Sequence, residues 1–176
     1  MICPCCHQPS DMPAAGAQCP LCGFDARPVQ KRVLTLYLVG FAFFMSLLLY
    51  AGLVYFFDTQ GTIPYKAETS QGSLPYVLLL VAVLVFGLAW KIGQRLETAT
   101  ATQAVFVLHV VKLALFESIA IVGMLMYFVS GSLKLFAGFL LLSAVGFVIA
   151  GTQLPTVVRR MEELAVGEAE GKSRDH

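Results

Sequence analysis

Residues 33–57 read VLTLYLVGFAFFMSLLLYAGLVYFF, an apolar stretch that contains no charged side chain. About 20 such residues in an α-helix cross the hydrocarbon core of a bilayer, so this stretch predicts a tilted transmembrane helix. Three more apolar stretches follow, at about 74–92, 104–129 and 135–154. Together they predict an all-α membrane protein built as a bundle of four transmembrane helices.

The composition of the whole chain supports this class. Of its 176 residues, 57% are hydrophobic and 13% are charged, whereas soluble domains carry about 25% charged residues. The charges are concentrated at both ends and in the breaks between apolar stretches, which argues against a soluble domain with alternating polar and apolar faces. A net charge of +1 leaves no basic face, so we expect no nucleic-acid partner.

Three polar connections separate the predicted spans, at 58–73, 93–103 and 130–132. The last is the tight turn Ser-Gly-Ser, and short connections of this kind favour an up-down bundle. Pro155 is predicted to end the fourth span, because proline removes a helical hydrogen bond. A charged tail, 156–176, follows: its first part could continue the helix in water, and its remainder has the composition of a disordered segment.

The distribution of lysine and arginine predicts the orientation in the membrane. These residues are frequent before span one, between spans two and three, and after span four: Arg27, Lys31, Arg32, Lys91, Arg95, Arg159 and Arg160. The opposite side has only Lys66 and Lys134. By the positive-inside rule both termini should be cytoplasmic, and we interpret the membrane as a bacterial inner membrane. The polar first 30 residues predict no cleaved signal peptide.

All five cysteines lie within the first 22 residues, in the segments CPCCH at 3–7 and CPLCG at 19–23. Each C-x-x-C turn can supply two thiolates from one tight backbone loop, and a tetrahedral metal needs four ligands. About 26 residues are too few to bury an independent core, so a metal would also fold the segment. The spacing predicts a metal site whose four ligands are Cys3, Cys6, Cys19 and Cys22.

Residues 1–26 resemble the short zinc ribbons found at the N-termini of many bacterial membrane proteins. The resemblance implies zinc as the cofactor and Cys3, Cys6, Cys19 and Cys22 as its ligands. Residues 27–32 are interpreted as a basic linker, and we expect an unidentified protein partner at the ribbon. Cys5 or His7 could replace one ligand of the first pair, and iron of the rubredoxin kind is an open alternative. Disulfides conflict with a cytoplasmic location, and a closed four-thiolate site leaves no position for a substrate.

Span three carries His109, Lys112 and, near its middle, Glu117. A charged side chain at the centre of a membrane helix costs roughly 2.5–3.5 kcal/mol, so Glu117 should face the bundle and be protonated or paired. Lys112 is a poor partner, because five residues place it about 140° around the helix. We expect Lys112 to extend to the cytoplasmic surface, and a hydroxyl group on another span, such as Ser46 or Ser143, to bond to Glu117.

Residues 117–123, ESIAIVG, are similar to the carboxylate stretch of the proteolipid (c-type) subunits of rotary ATPases, and Gln94-Arg95 is similar to their polar loop. The resemblance implies that Glu117 binds a proton or a sodium ion. That family's first helix carries a run of small residues, whereas span two has Gly87 as its one glycine before the loop. The hairpin is therefore interpreted as c-like and not as a working rotor subunit.

Two other patterns concern packing. Gly146 and Ala150 form a small-xxx-small pair that permits close approach of helices, more typically within one chain than in a dimer, although an oligomer is an open possibility. Several aromatic residues near the predicted outer surface are interpreted as interfacial anchors: Tyr50, Tyr55, Phe56, Phe57, Tyr76 and Tyr127.

The sequence contains no Walker loop, Rossmann glycine pattern, H-E-x-x-H or G-x-S-x-G, so we predict a protein without enzymatic activity. Two functions follow as hypotheses. The first is a membrane adaptor or assembly protein whose cytoplasmic zinc ribbon binds a partner. The alternative is proteolipid-like binding or translocation of a proton or sodium ion through Glu117.

Overall fold

A computed structural model describes residues 27–61 and 73–174, so the prediction of a zinc ribbon at 1–26 lies outside the described residues. Within them the chain forms four α-helices: α1 Arg27–Gln60, α2 Leu74–Thr98, α3 Thr102–Ser130 and α4 Leu133–Arg174. Each predicted span lies inside one helix, and all four helices are long and apolar enough to cross a membrane. The all-α, four-helix part of the predicted fold is confirmed.

The outer surface of the bundle is apolar. In the most apolar 18-residue stretch of α1, and in that of α2, only 11% of the residues are buried. Large side chains such as Leu49, Tyr55 and Leu84 point outward. A soluble monomer rarely exposes a continuous apolar surface of this extent, whereas lipid tails cover it without cost. The helices are those of a multi-pass membrane protein in contact with the lipid bilayer.

Helix α3 lies at the centre of the bundle and packs against the other three helices, most extensively against α4. The largest core cluster joins α2, α3 and α4 through Ala82, Ala89, Leu113, Phe116, Ile119, Met126, Phe139 and Ala150. Because α3 has neighbours on several sides, its polar residues Thr102, His109 and Lys112 are buried and Glu117 is half-buried. This central position is what makes α3 the helix to search for a functional site.

Two glycines allow α3 and α4 to approach closely. A Cβ atom on Gly146 would lie 2.3 Å from Cδ1 of Phe116, and one on Gly123 would lie 2.5 Å from Cβ of Phe139. In each case a phenylalanine side chain of the facing helix occupies the space that a side chain on the glycine would need. With Ala150 fully buried in the same core, the prediction of a small-residue packing face within the chain is confirmed.

The helix ends follow the predicted breaks in part. Gly131 adopts φ +68°, and its N–H donates to the Tyr127 carbonyl over 2.8 Å, so the predicted Ser-Gly-Ser turn is confirmed. Glycine suits this left-handed position because it has no Cβ. Between α2 and α3 only residues 99–101 are non-helical, a shorter connection than the predicted 93–103.

Helices α1 and α4 are longer than the predicted spans. Helix α1 includes the basic segment 27–32, and α4 continues through Pro155 to Arg174 instead of ending there. A proline inside a helix costs about 3 kcal/mol. The apolar residues of α4 beyond Pro155 are buried against the other three helices, and this burial offsets the cost. They belong to a cluster that contains Val29, Leu36, Leu96, Val105, Val157 and Met161.

This second cluster joins the start of α1, the end of α2, the start of α3 and the extension of α4. We call this end of the bundle the basic end, because it carries Arg27, Lys31, Arg32, Lys91, Arg95, Arg159 and Arg160. The four helices therefore form a packed assembly at the side that was predicted to be cytoplasmic.

Candidate functional site

Glu117 lies near the middle of α3, half-buried, and faces α1. Its Oε1 accepts a hydrogen bond of 3.0 Å from the Tyr50 hydroxyl. A hydroxyl group on another span does bond to Glu117, but the expectation of Ser46 or Ser143 was wrong. Both serines donate to backbone carbonyls over 2.6 Å, Ser46 to Phe43 in its own helix and Ser143 to Phe116 across the α3–α4 contact.

A second bond between a tyrosine and a carboxylate joins the same two helices farther along. The Tyr127 hydroxyl of α3 donates to Oδ1 of Asp58 in α1 over 3.1 Å. The two bonds have opposite direction, since the tyrosine belongs to α1 in one and to α3 in the other. They join residues at separations of 67 and 69, which fits two parallel helices in register.

These bonds change the interpretation of two aromatic residues. Tyr127 is fully buried, so the prediction that it is an interfacial anchor was wrong. Tyr50 is half-buried, and its hydroxyl bonds to Glu117. Tyr55 and Tyr76 are exposed, as an anchor must be. The difference lies in the direction that each side chain takes around its helix, which the residue type does not reveal.

Lys112 is buried, with 2% of its surface exposed. Its Nζ donates to Oε1 of Gln153 in α4 and lies 6.0 Å from the centre of the Phe116 ring. The prediction that Lys112 extends to the cytoplasmic surface was therefore wrong. The side chain ends between α2 and α4, because Gln153 of α4 offers an acceptor there and Gly93 of α2 leaves room for the ammonium group.

His109 is also buried, on the face of α3 between α1 and α4. It lines an apolar groove of about 400 Å³ together with residues such as Leu36, Phe44 and Phe147. Its Nδ1 has no hydrogen-bond partner among the described residues. A buried nitrogen without a hydrogen-bond partner costs about 1–3 kcal/mol of folding free energy, so His109 destabilises the bundle at this position.

The three α3 residues singled out from the sequence thus point to three different places: His109 to the α1–α4 groove, Lys112 to Gln153, and Glu117 to Tyr50. Ser118, next to Glu117, donates to the Leu115 carbonyl over 2.7 Å. In the described part of the chain, no group of three or more histidine, cysteine or acidic residues could hold a metal ion. The arrangement provides separate polar contacts between helices.

The predicted metal ligands Cys3, Cys6, Cys19 and Cys22, with the substitutes Cys5 and His7, lie outside the described residues. Sequence reasoning found Glu117 and Lys112 but missed their partners Tyr50 and Gln153. Gln153 carried a usable signal, since it is the one amide side chain in the predicted fourth span, 135–154. Tyr50 carried none, because tyrosines at a membrane surface and tyrosines between helices look alike in sequence.

Comparison with known proteins adds nothing to these contacts: no family model, no curated protein and no solved structure matches the chain.

Proposed function

We propose that this chain is a non-enzymatic membrane adaptor or assembly protein. In this proposal a zinc ribbon at 1–26 binds a protein partner on the cytoplasmic side, and the four helices anchor the ribbon at the membrane. The ligand set is Cys3, Cys6, Cys19 and Cys22, which supplies the four thiolates of a closed tetrahedral site.

One observation carries the proposal: helix α1 begins at Arg27, directly after the cysteine segment, and its first turns are packed and not free. Val29 and Leu36 are buried against Val157 and Met161 of the α4 extension. A domain joined to a packed helix has less freedom to rotate than one on a flexible linker. A partner bound at residues 1–26 would therefore be tethered next to the packed start of α1.

The extension of α4 supports this role through hydrogen bonds to α2 and α3 at the basic end. Nη2 of Arg160 donates to the Glu97 carbonyl in the last turn of α2 over 3.2 Å. Oε1 of Glu168 accepts from the backbone N–H of Thr102, in the first turn of α3, over 3.1 Å. A cation at a helix C-terminus and an anion at a helix N-terminus both complement the helix dipole. The extension thus holds the α2–α3 connection in place.

The proposal is tested on membranes of the native source, solubilised gently and separated by native electrophoresis. We expect the full-length chain in a complex larger than the protein alone, and Cys22→Ser to release it as the free protein. Glu117→Gln is the matched variant, and we expect it to stay in the large complex. Native mass spectrometry of the purified chain should show one zinc ion, which Cys22→Ser loses.

A complex of unchanged size in Cys22→Ser would contradict the adaptor function. The alternative function, binding of a proton or sodium ion at Glu117, rests on a half-buried carboxylate near the middle of a span with one hydroxyl donor. That function predicts covalent labelling of Glu117 by a hydrophobic carbodiimide and loss of activity in Glu117→Gln. Labelling that sodium suppresses would identify the ion.

A further inference from the structure

At the basic end, α2 and α4 leave a cleft of about 360 Å³ between them, with α3 as its floor. The lining residues combine an apolar part with polar and charged groups: Gly93, Leu96, Glu97, Val105, Gln153, Thr156, Val157 and Arg160. The cleft is open, and it lies where the apolar part of α4 gives way to its charged extension. The packing of Val157 and the Arg160–Glu97 contact described above lie at this cleft, but neither assigns a ligand to it.

The ammonium group of Lys112 lies against the cleft from inside the bundle. Its Nζ donates to Gln153, and a Cβ atom on Gly93 would be 3.1 Å from it, so two lining residues border the group. An ammonium group has three donors. In the described part of the chain only Gln153, a neutral acceptor, bonds to it. A cation buried to this degree is expected to have an anion nearby.

Arg160 supplies a second cation with an unused donor. Its Nη2 donates to the Glu97 carbonyl, whereas its Nε is buried and has no partner among the described residues. A guanidinium group has five donors in a fixed plane, well suited to phosphate oxygens. Arg160 therefore lines the cleft itself, and Lys112 adds a second positive charge from behind the lining residues Gly93 and Gln153.

We propose that this cleft binds the phosphate of an anionic phospholipid, with Arg160 as the charged donor, Thr156 and Gln153 as neutral donors, and the buried Lys112 as a second positive charge behind the lining. Basic pockets between transmembrane helices at the membrane surface are suited to lipid headgroups. The apolar side chains of Leu96, Val105 and Val157 would contact the first methylene groups of the lipid.

The charge of the cleft selects among headgroups. Arg160 in the lining and Lys112 behind it contribute two positive charges and Glu97 one negative charge, which leaves one positive charge. A singly charged phosphodiester, as in phosphatidylglycerol, balances it. A zwitterionic headgroup leaves it unbalanced, and burial makes an unbalanced charge expensive. Phosphatidylglycerol should therefore bind more tightly than phosphatidylethanolamine with the same acyl chains.

The experiment titrates the purified full-length protein in detergent with short-chain phosphatidylglycerol or phosphatidylethanolamine, and native mass spectrometry measures each affinity. We expect phosphatidylglycerol to bind more tightly, and Arg160→Gln to weaken it about fivefold, as for one basic residue at an anionic membrane surface. Lys112→Met should weaken it similarly. Glu97→Gln should strengthen it, because it removes the one negative side chain of the cleft.

Arg159→Gln is the matched control. It removes the same charge one residue away, from a side chain that is 82% exposed and paired with Glu163 over 3.0 Å. We expect no change in lipid affinity. Equal losses in Arg159→Gln and Arg160→Gln would overturn the proposal, because the effect would then be one of net charge and not of this cleft.

Two further results would overturn it. One is equal affinity of the unaltered chain for the two lipids. The other is binding of inorganic phosphate alone that is weakened by Arg160→Gln to the same degree, because the ligand would then be a soluble phosphate compound and not a lipid. We expect instead that millimolar phosphate displaces no lipid. If Lys112→Met fails to fold, Arg160→Gln and Glu97→Gln still predict changes of opposite sign.

Discussion

At the scale of single residues, three polar side chains of α3 each bond to one partner on another helix. Glu117 accepts from Tyr50, Lys112 donates to Gln153, and Tyr127 donates to Asp58. Each polar group in a bilayer that lacks a partner costs several kcal/mol. The partners therefore fix how α1 and α4 are rotated about α3, whatever else Glu117 does.

The Tyr50–Glu117 bond gives the first prediction. We expect Tyr50→Phe to lower the free energy of unfolding by about 0.6 kcal/mol, the average for a hydrogen bond between membrane helices. Tyr55→Phe is the control, because it removes the same hydroxyl from a side chain that is 70% exposed. Unfolding in detergent mixtures measures both. Equal effects of the two variants would show that the bond does not stabilise the bundle.

The sequence predicted that Glu117 needs a hydroxyl partner from another span, but not which one. The need follows from the cost of a carboxylate in hydrocarbon, which is a property of one residue. The choice of Tyr50 over Ser46 depends on how α1 is rotated, and that rotation depends on packing along the whole helix. The same reason explains Lys112, whose acceptor Gln153 is 41 residues away in sequence.

At the scale of elements, the positions of the four spans were predictable because hydropathy is a local property of the sequence. The lengths of α1 and α4 were not, since they depend on contacts between the ends of different helices. Val157 and Met161 after Pro155 are buried against the start of α1. The sequence there looks like a charged tail, and only its apolar residues at helical spacing indicate a packed face.

The cap that Glu168 forms on α3 gives the prediction at this scale. Glu168→Ala removes both the acceptor and the negative charge at the helix N-terminus, so we expect the Thr102 amide to exchange with solvent about two- to fivefold faster. Hydrogen–deuterium exchange resolved to the first turn of α3 measures it. Glu163→Ala is the control, since Glu163 pairs with Arg159 in its own helix. Unchanged exchange in Glu168→Ala would contradict the cap.

At the scale of the whole molecule, the four helices present apolar surface outward along their spans and gather the basic residues at one end. The cluster at the basic end contains residues from the start of α1, the end of α2 and the start of α3. These three helix ends therefore lie at the same end of the bundle. Orientation across the membrane is a separate question, which depends on the charge of the connections. The positive-inside rule predicts that the basic end faces the cytoplasm.

Two exposed positions, each replaced by cysteine in a variant without the native cysteines, allow this orientation to be tested. Ser73 precedes α2 and Thr100 lies between α2 and α3, so they are at opposite ends of the bundle. All five native cysteines lie in the first 22 residues and can be replaced by serine. In intact cells, a membrane-impermeant maleimide should label Ser73→Cys and leave Thr100→Cys unlabelled until the membrane is permeabilised. The reverse pattern would place residues 1–26 outside the cytoplasm, where thiols oxidise, and would favour disulfides over zinc.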